Sequence, residues 1–309
     1  VTCNPDGSFN LHTGGVEMGS GGQTLLAQIF AEKLKIDASL VHTVLPVDTR
    51  TSPEHWKTVA SMTAYMAGNA VERAADDIIA QFRHTGALVF GCSESEVEVA
   101  HSRVYRKKNP EQFLQYKDVV AGYKSKEGES IGEPVFGRGG FMLKGLSKLD
   151  RITGEGRPGP SWTVGAQVVE VEADREEMSY RILSATTVLD AGCVINPKAM
   201  REMVAGGMAM GLSLASREAF EFEENGVLMT PNLRTYKLMH IGAEPEYRVG
   251  FVETPEEGAP HGTRKFTEHG IIGMPAALSN ALSAAFEVDI DTLPLTPEML
   301  WEKKLEGRA

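Results

Sequence analysis

The sequence predicts an α+β fold: mixed α/β layers, with helices packed on twisted sheets in two lobes. Three observations lead there. Runs with helical apolar spacing alternate with runs of strand-like alternation along the whole chain. The 309 residues suit two domains of ordinary size. The densest glycine and proline stretch, GEGRPGP at 154–160, marks where the lobes meet. The expected division is a first lobe over 1–153 and a second over 154–309. A chain of this length buries roughly 75% of its unfolded surface and needs no covalent staples.

In the first lobe, Ser8 to His12 alternates as a strand does, and Gly14 to Thr24 (GGVEMGSGGQT) is rich in glycine. Residues 23–35 place Leu25, Leu26, Ile29, Phe30 and Leu34 on one helical face. Residues 40–47 read as a strand and 59–82 as a long helix. Residues 88–91 and 95–106 read as strands, and 110–123 as a polar helix. Residues 137–140 (GRGG) form a further glycine-rich loop.

The second lobe opens with strands over 162–172 and 180–189, joined by a hairpin loop at 174–177. Residues 198–217 read as a helix rich in glycine and methionine. Gly206, Gly207 and Gly211 let another backbone or a ligand approach, and Met208 and Met210 fit core filling. A strand at 247–252 and a buried helix at 271–285 follow. The last helix, 296–304, has Thr296 as N-cap and Pro297 at N1. The sequence shows no internal repeat.

Composition limits the function classes. Forty-two acidic and 31 basic residues give a net charge of −11. That argues against nucleic acid and against an anionic membrane surface as partners. The longest apolar stretch, 203–215, is too short and glycine-rich to span a bilayer. Cys3, Cys92 and Cys193 form no CxxC pair, which excludes a four-cysteine iron–sulfur cluster or thiolate zinc site within the chain. So odd and sparse a count fits a reducing, cytoplasmic location. The chain begins at Val1 without Met, directly in strand-like sequence. A processed or truncated piece of something larger is expected.

Three segments could carry chemistry. At 14–24 a strand runs through glycines into a helix start, which is an anion-site arrangement. Ser20 and Thr24 add hydroxyls, and phosphate or pyrophosphate is the ligand expected there. Taken alone, the stretch fits a simple reversing turn slightly better. At 258–270 a polar, glycine-bounded loop leads into an apolar helix, and Glu268 stands just before that helix. Its carboxylate could be a general base or a charge favouring a helix N-terminus; taken alone, the segment favours the second. Arg264 and Lys265, if close, would help keep it ionised. At 58–63, Thr58, Ser61 and Thr63 offer hydroxyls beside Val59 and Ala60 at a helix start; taken alone, the segment better fits Thr58 as a plain N-cap with Ser61 and Thr63 facing solvent. His261 and His269 lack metal-site spacing. Asp190 and Asn196 bracket a turn.

Together and in this order, these segments resemble the molybdenum hydroxylases, the family of xanthine dehydrogenase, aldehyde oxidoreductase and nicotinate dehydrogenase. The pieces are GGVEMGSGGQT (14–24), TVAS…AGNAV (58–71), VGAQVVEVEAD (164–174), VLDAGCVINP (188–197), AGGMAMG (205–211), Glu268 with IIGMPAALSNAL (271–282), and LPLTPEMLW (293–301). The likeness is to the C-terminal half of the molybdenum subunit and covers nearly the whole chain. It implies the two-lobed molybdenum-cofactor-binding domain of the xanthine dehydrogenase type. Gly19, Ser20, Gly21, Gly22, Thr24, Thr58, Val59, Ala60, Ser61 and Thr63, with Met210 and Lys265, match the surface that binds a molybdopterin dinucleotide, in the cytosine form. The pterin itself holds the molybdenum, so no residue of the chain is implied as a metal ligand. Glu268 matches the family's active-site glutamate, the base in an oxidative hydroxylation that takes its oxygen from water.

The resemblance further implies a companion chain carrying the N-terminal half, a 2Fe-2S subunit, a subunit with FAD, and a small-molecule substrate. The implied substrate is an N-heterocycle, purine-like or nicotinate-like. The alternatives are an aldehyde oxidoreductase subunit and a non-catalytic scaffold. A nucleotide-binding protein unrelated to the family ranks last. The chain departs from the family at four positions. Ser20 and Met210 stand where cofactor-contacting glutamines are common, and Lys265 and Thr267 where glycines are usual. The loss of two amides favours a weaker grip on the cofactor, a changed cofactor, or help from a partner chain.

Overall fold

A computed structural model describes residues 1–55, 57–264 and 267–307. The chain divides into two compact units, Val1–Trp162 with Pro255–Lys265, and Thr163–Thr254 with Phe266–Ala309. The first division thus falls after residue 162, where the sequence set it after 153, and segment 255–265 returns to the first unit.

In the first unit, β1 (Thr2–Cys3) pairs antiparallel with β2 (Phe9–His12). The chain then crosses through α1 (Gly22–Leu34) to β3 (Val41–Val44), which lies parallel to β2. The alternation in β2 buries Phe9 and Leu11, and the helical spacing in α1 buries Leu26, Ile29, Phe30 and Leu34. Helix α2 (Thr63–Phe90) begins four residues later than expected and continues through the stretch read as a strand at 88–91. Packing explains the extension. A Cβ on Gly86 would lie 2.5 Å from Val104 Cγ1 and 3.2 Å from Val97 Cγ1, so the helix rests on the strands beyond it at close range. Tertiary contact overrides the weak local preference of residues 85–90.

Those strands are β4 (Val97–Ala100) and β5 (Arg103–Arg106), an antiparallel hairpin. Its two linking residues, His101 and Ser102, are both left-handed, as a tight hairpin turn requires. The polar helix expected at 110–123 is replaced by β6 (Asn109–Gln115), the short α3 (Tyr116–Val119) and β7 (Ala121–Lys124), which pairs with β8 (Ser130–Pro134). Strand β6 lies at the edge of its sheet with most of its polar residues exposed. Without apolar alternation it carries no strand signal. Its Phe113 sits opposite Tyr105 and under the Arg103 guanidinium, 4.4 Å away. The centre of the unit is aromatic. The Phe9 ring meets those of Phe30 at 5.2 Å and Tyr116 at 6.0 Å, and Phe82 stacks on Tyr116 at 4.7 Å. Four elements are thereby tied at one point.

The second unit repeats the same plan. β9 (Gly165–Asp174) and β10 (Ser179–Asp190) form the expected antiparallel hairpin. The chain passes through α4 (Pro197–Ser216) and α5 (Leu233–Tyr236) to β11 (Glu246–Val252), parallel to β10. As in the first unit, the middle strand of the sheet feeds the crossover helix. The helix expected at 271–285 is broken at Gly273 into α6 (His269–Ile272) and α7 (Met274–Phe286). The final helix, α8 (Pro297–Glu306), starts as expected, with Thr296 Oγ1 accepting from Met299 N at 3.3 Å. Val204, Met208 and Leu212 of α4 share the core with Leu278, Leu282 and Phe286 of α7 and with Ala185 and Leu189 of β10. Met208 is a core filler, as expected. Met210 is 59% exposed and is not.

The aromatic centre sets a first expectation. Phe82→Ala should lower stability by about 3–5 kcal/mol, the usual cost of emptying a filled aromatic site. Urea unfolding followed by circular dichroism reads that loss.

Candidate functional site

The loop between β2 and α1 lies at the carboxyl end of a strand in a β–α–β crossover, a position where α/β sheets bind ligands. Gly19 and Gly21 have φ of +95° and +70°, and a Cβ on either would meet nothing within 4 Å. The backbone is thus left-handed and bare on its outer side. Gly22 lies between Ser20 Oγ and Thr63 Cγ2, which a Cβ there would meet at 3.5 and 3.6 Å. Val16 N donates to Thr58 Oγ1 at 3.3 Å. The structure therefore brings Gly22 beside Thr63, and the start of the loop at Val16 beside Thr58. Thr24, Val59 and Ala60 are exposed around them, and Ser61 is half-buried.

Two local features differ from expectation. Thr58 does not cap α2, which begins at Thr63 after Met62. Residues 59–62 instead form a turn closed by Met62 N donating to Val59 O at 3.1 Å, with Ala60 and Ser61 both left-handed at φ 54° and 53°. Strain at non-glycine residues tends to cluster at ligand clamps.

The second difference concerns the helix start itself. Three amides of the loop and of this helix start are already engaged. The Glu17 carboxylate accepts from Gly19 N at 2.8 Å, Gly21 N at 3.0 Å and Gln23 N at 3.2 Å. Ser20 Oγ reaches the same carboxylate at 3.5 Å. Burial alone would raise the Glu17 carboxyl, but the amides of Gln23, Gly21, Gly19 and Ser20 together hold it below the ordinary glutamate value. An internal anion thus fills the place expected for phosphate on these amides. Glu17 is not among the residues the sequence motifs single out, although an acid a few residues ahead of an amide-rich helix start is a capping signal. Beneath the loop, Gln23 Nε2 donates to Gly15 O at 2.7 Å, while the buried Gln23 Oε1 has no hydrogen-bond partner among the described residues.

Glu268 and Met210 belong to the second unit. Glu268 is exposed at the N-cap of α6, with φ −88° and ψ −6°, and its side chain does not cap that helix. The backbone beside it is tightly held. A Cβ on Gly207 would lie 3.0 Å from Gly270 Cα, and one on Gly211 would lie 2.8 Å from Ile271 O. A Cβ on Gly270 would strike Val204 O. The glycines of α4 thus serve close backbone packing against the turn that carries Glu268. A cavity of about 330 Å³ borders this turn, lined by Thr163, Gln167, His269, Ile272, Gly273 and Asn280 among others. Lys265 lies outside the described residues. Arg264, in the first unit, pairs with Glu256 at 3.0 Å and donates to Trp162 O at 3.0 Å. The loop before it docks on α2. Asn69 Nδ2 donates to Gly258 O at 3.0 Å, and a Cβ on Gly68 would lie 2.7 Å from Pro260 Cγ. The AGN segment of the sequence is therefore a clamp for the 258–260 loop, a role its composition does not reveal.

A molybdopterin cofactor-binding domain profile matches residues 1–245. The chain is 28% identical over 305 residues to the putative xanthine dehydrogenase molybdenum-binding subunit of Escherichia coli K12, covering 98% of this chain and 38% of that one. It is 27% identical over 303 residues to the gamma subunit of the 6-hydroxypseudooxynicotine dehydrogenase complex of Paenarthrobacter nicotinovorans, covering 96% of this chain and 36% of that one. The fold matches quinoline 2-oxidoreductase of Pseudomonas putida 86 with a TM-score of 0.83 at 24% identity, over 99% of this chain and 38% of that one. The chain belongs to the molybdenum hydroxylase family, as part of its molybdopterin-binding subunit. It spans less than two fifths of the length of these curated relatives.

The loop fits a large phosphorylated cofactor by its bare glycines and its hydroxyls, but the α1 amides that Glu17 occupies are not open to a second anion. Two outcomes follow. A carboxyl with a depressed folded pKa stabilises above its unfolded value and ceases to as pH falls through the folded one. Glu17→Gln should therefore cost about 1 kcal/mol at pH 7, a typical capping loss. The gap to wild type should close in acid below pH ~4, as thermal melts across pH would show. Ala60→Gly should raise stability by about 0.5 kcal/mol, the left-handed penalty relieved less the entropy of glycine. Paired urea titrations measure this.

Proposed function

We propose that this chain supplies one face of a molybdopterin dinucleotide site and the general base of a molybdenum hydroxylase, with a companion polypeptide segment completing the pocket. The observation that carries the proposal is Glu268. It is an exposed carboxylate on a turn packed backbone against backbone on α4, and it is not used as a helix cap. A base acts best when its position is fixed by rigid elements while its oxygens face the reaction space. When bound, the cofactor supplies the two-electron oxidation of a substrate carbon. Glu268 takes up the proton from the water that becomes the new oxygen. Ser20, Thr58, Ser61 and Thr63 are the hydroxyl donors for the cofactor's phosphates and pterin. Gly19, Gly21 and Gly22 let it lie close to the backbone.

An N-heterocyclic substrate is the preferred class, supported by relatives named for xanthine and quinoline. Aldehyde oxidation is the alternative within the same chemistry. The cytosine dinucleotide, a 2Fe-2S subunit, a subunit carrying FAD and a cytoplasmic location complete the proposal. Among the described residues no helix is long and apolar enough to cross a membrane. One observation favours a second reading, a scaffold that holds partner chains without turnover: the Glu17 carboxylate already occupies the amides of Gly19, Gly21 and Gln23.

Glu268→Gln in the purified complex should reduce turnover by at least a thousandfold while molybdenum and pterin contents stay at wild-type levels. Near-normal turnover by that variant would remove Glu268 from the chemistry. A complex purified without molybdenum or pterin would favour the scaffold.

A further inference from the structure

We infer that Gln167 is the positioning residue of the Glu268 turn. It stands on β9 directly opposite Thr187 of β10, whose side chain is completely buried. The two N–H bonds of a primary amide can serve two acceptors. Gln167 Nε2 is placed to do so, 2.9 Å from Thr187 Oγ1 and 2.8 Å from the Gly270 carbonyl. The first contact fixes the side chain to the sheet, and the second reaches a backbone group two residues from Glu268. The other end of the amide is wedged against the break between α6 and α7, where a Cβ on Gly273 would strike Gln167 Oε1. Only glycine leaves room for that side chain at 273.

Gly270 is therefore held from two directions. Backbone packing against Val204, Gly207 and Met208 of α4 limits its approach to the helix. Gln167 ties its carbonyl to the β9–β10 hairpin. Helix α6 has only four residues and makes too few hydrogen bonds of its own to hold an orientation. The direction in which Glu268 projects from its N-cap is thus set from outside, by the amide of Gln167 and the glycine contact together. The cavity lined by Gln167, His269 and Gly273 borders this anchor, so the side chain is within reach of bound molecules as well as of the turn.

The inference rests on Glu268 being the base, and two readouts keep the two apart. The first needs no turnover. In the purified complex, Gln167→Met, which keeps the volume and removes the donor, should speed amide hydrogen exchange at 269–272 by at least tenfold. Protection in α7 and β10 should stay unchanged. The second is kinetic. The same variant should lower kcat by 10- to 100-fold with KM within about twofold and molybdenum content unchanged, as expected when a catalytic group is misplaced by a fraction of an ångström to 1 Å. Gln167→Glu adds a signature that a packing defect would not produce. Its carboxylate cannot donate at neutral pH, so kcat relative to wild type should rise as the pH is lowered and the group is protonated. Unchanged exchange at 269–272 with kcat within twofold of wild type would overturn the inference. Full activity of Glu268→Gln beside faster exchange in Gln167→Met would instead keep the anchor and remove the base.

Discussion

The contact on which the second unit of this chain depends is backbone against backbone, where Gly207 and Gly211 of α4 meet Gly270 and Ile271. Between Gly207 and Gly270 no side chain intervenes. At such a distance dispersion is strong and lateral play is small. The bulk of α4 and α7 then packs on the sheet around the contact, with Met208, Leu212, Leu278 and Leu282 wholly buried. Any residue larger than glycine at 207 or 270 must push the turn away from the helix. The position of Glu268 would then shift with it, since the two are joined by two peptide units.

The first unit meets a different constraint. A helix start that opens towards ligand carries amides with no internal partner. This chain answers it in part with Glu17, whose carboxylate accepts from Gln23 N in the first turn, from Gly21 N at the N-cap and from Gly19 N in the loop. In the proposed cofactor site the loop would offer mainly hydroxyl groups and uncluttered backbone, with the amides of Gly19, Gly21 and Gln23 already taken.

Much of this was legible in the residues. The β9–β10 hairpin, α1, α4 and α8 followed from periodicity and capping, because in each the local preference and the buried face agree. The order of motifs gave the family and the candidate Glu268. The failures were also physical. Helix α2 runs through 88–90 because Gly86 packs on Val97 and Val104, contacts that no local window contains. Edge strand β6 is polar on both faces and looked helical. Segment 255–265 belongs with the first unit through Pro260 on Gly68 and Gly258 on Asn69, a pairing nearly 190 residues apart. Gln167 lies within VGAQVVEVEAD, a stretch that resembles the family, yet its partner carbonyl lies on a turn that only the folded chain brings near.

The two sheets share one frame: an antiparallel pair of strands, a crossover helix fed by the middle strand, and a parallel third strand. Their helix starts are finished in opposite ways. In the second unit Pro197 removes one amide and Asn196 Oδ1 takes Ala199 N at 3.0 Å, so the end is sealed by residues that carry no charge. In the first, a long glycine loop and a flexible carboxylate stand in the same position. One scaffold therefore tolerates both a closed and a receptive connection without change to its ladders of hydrogen bonds. The loop at 13–21 can therefore change in sequence while the aromatic centre of the unit stays as it is, so the connection and foldability can evolve as separate traits.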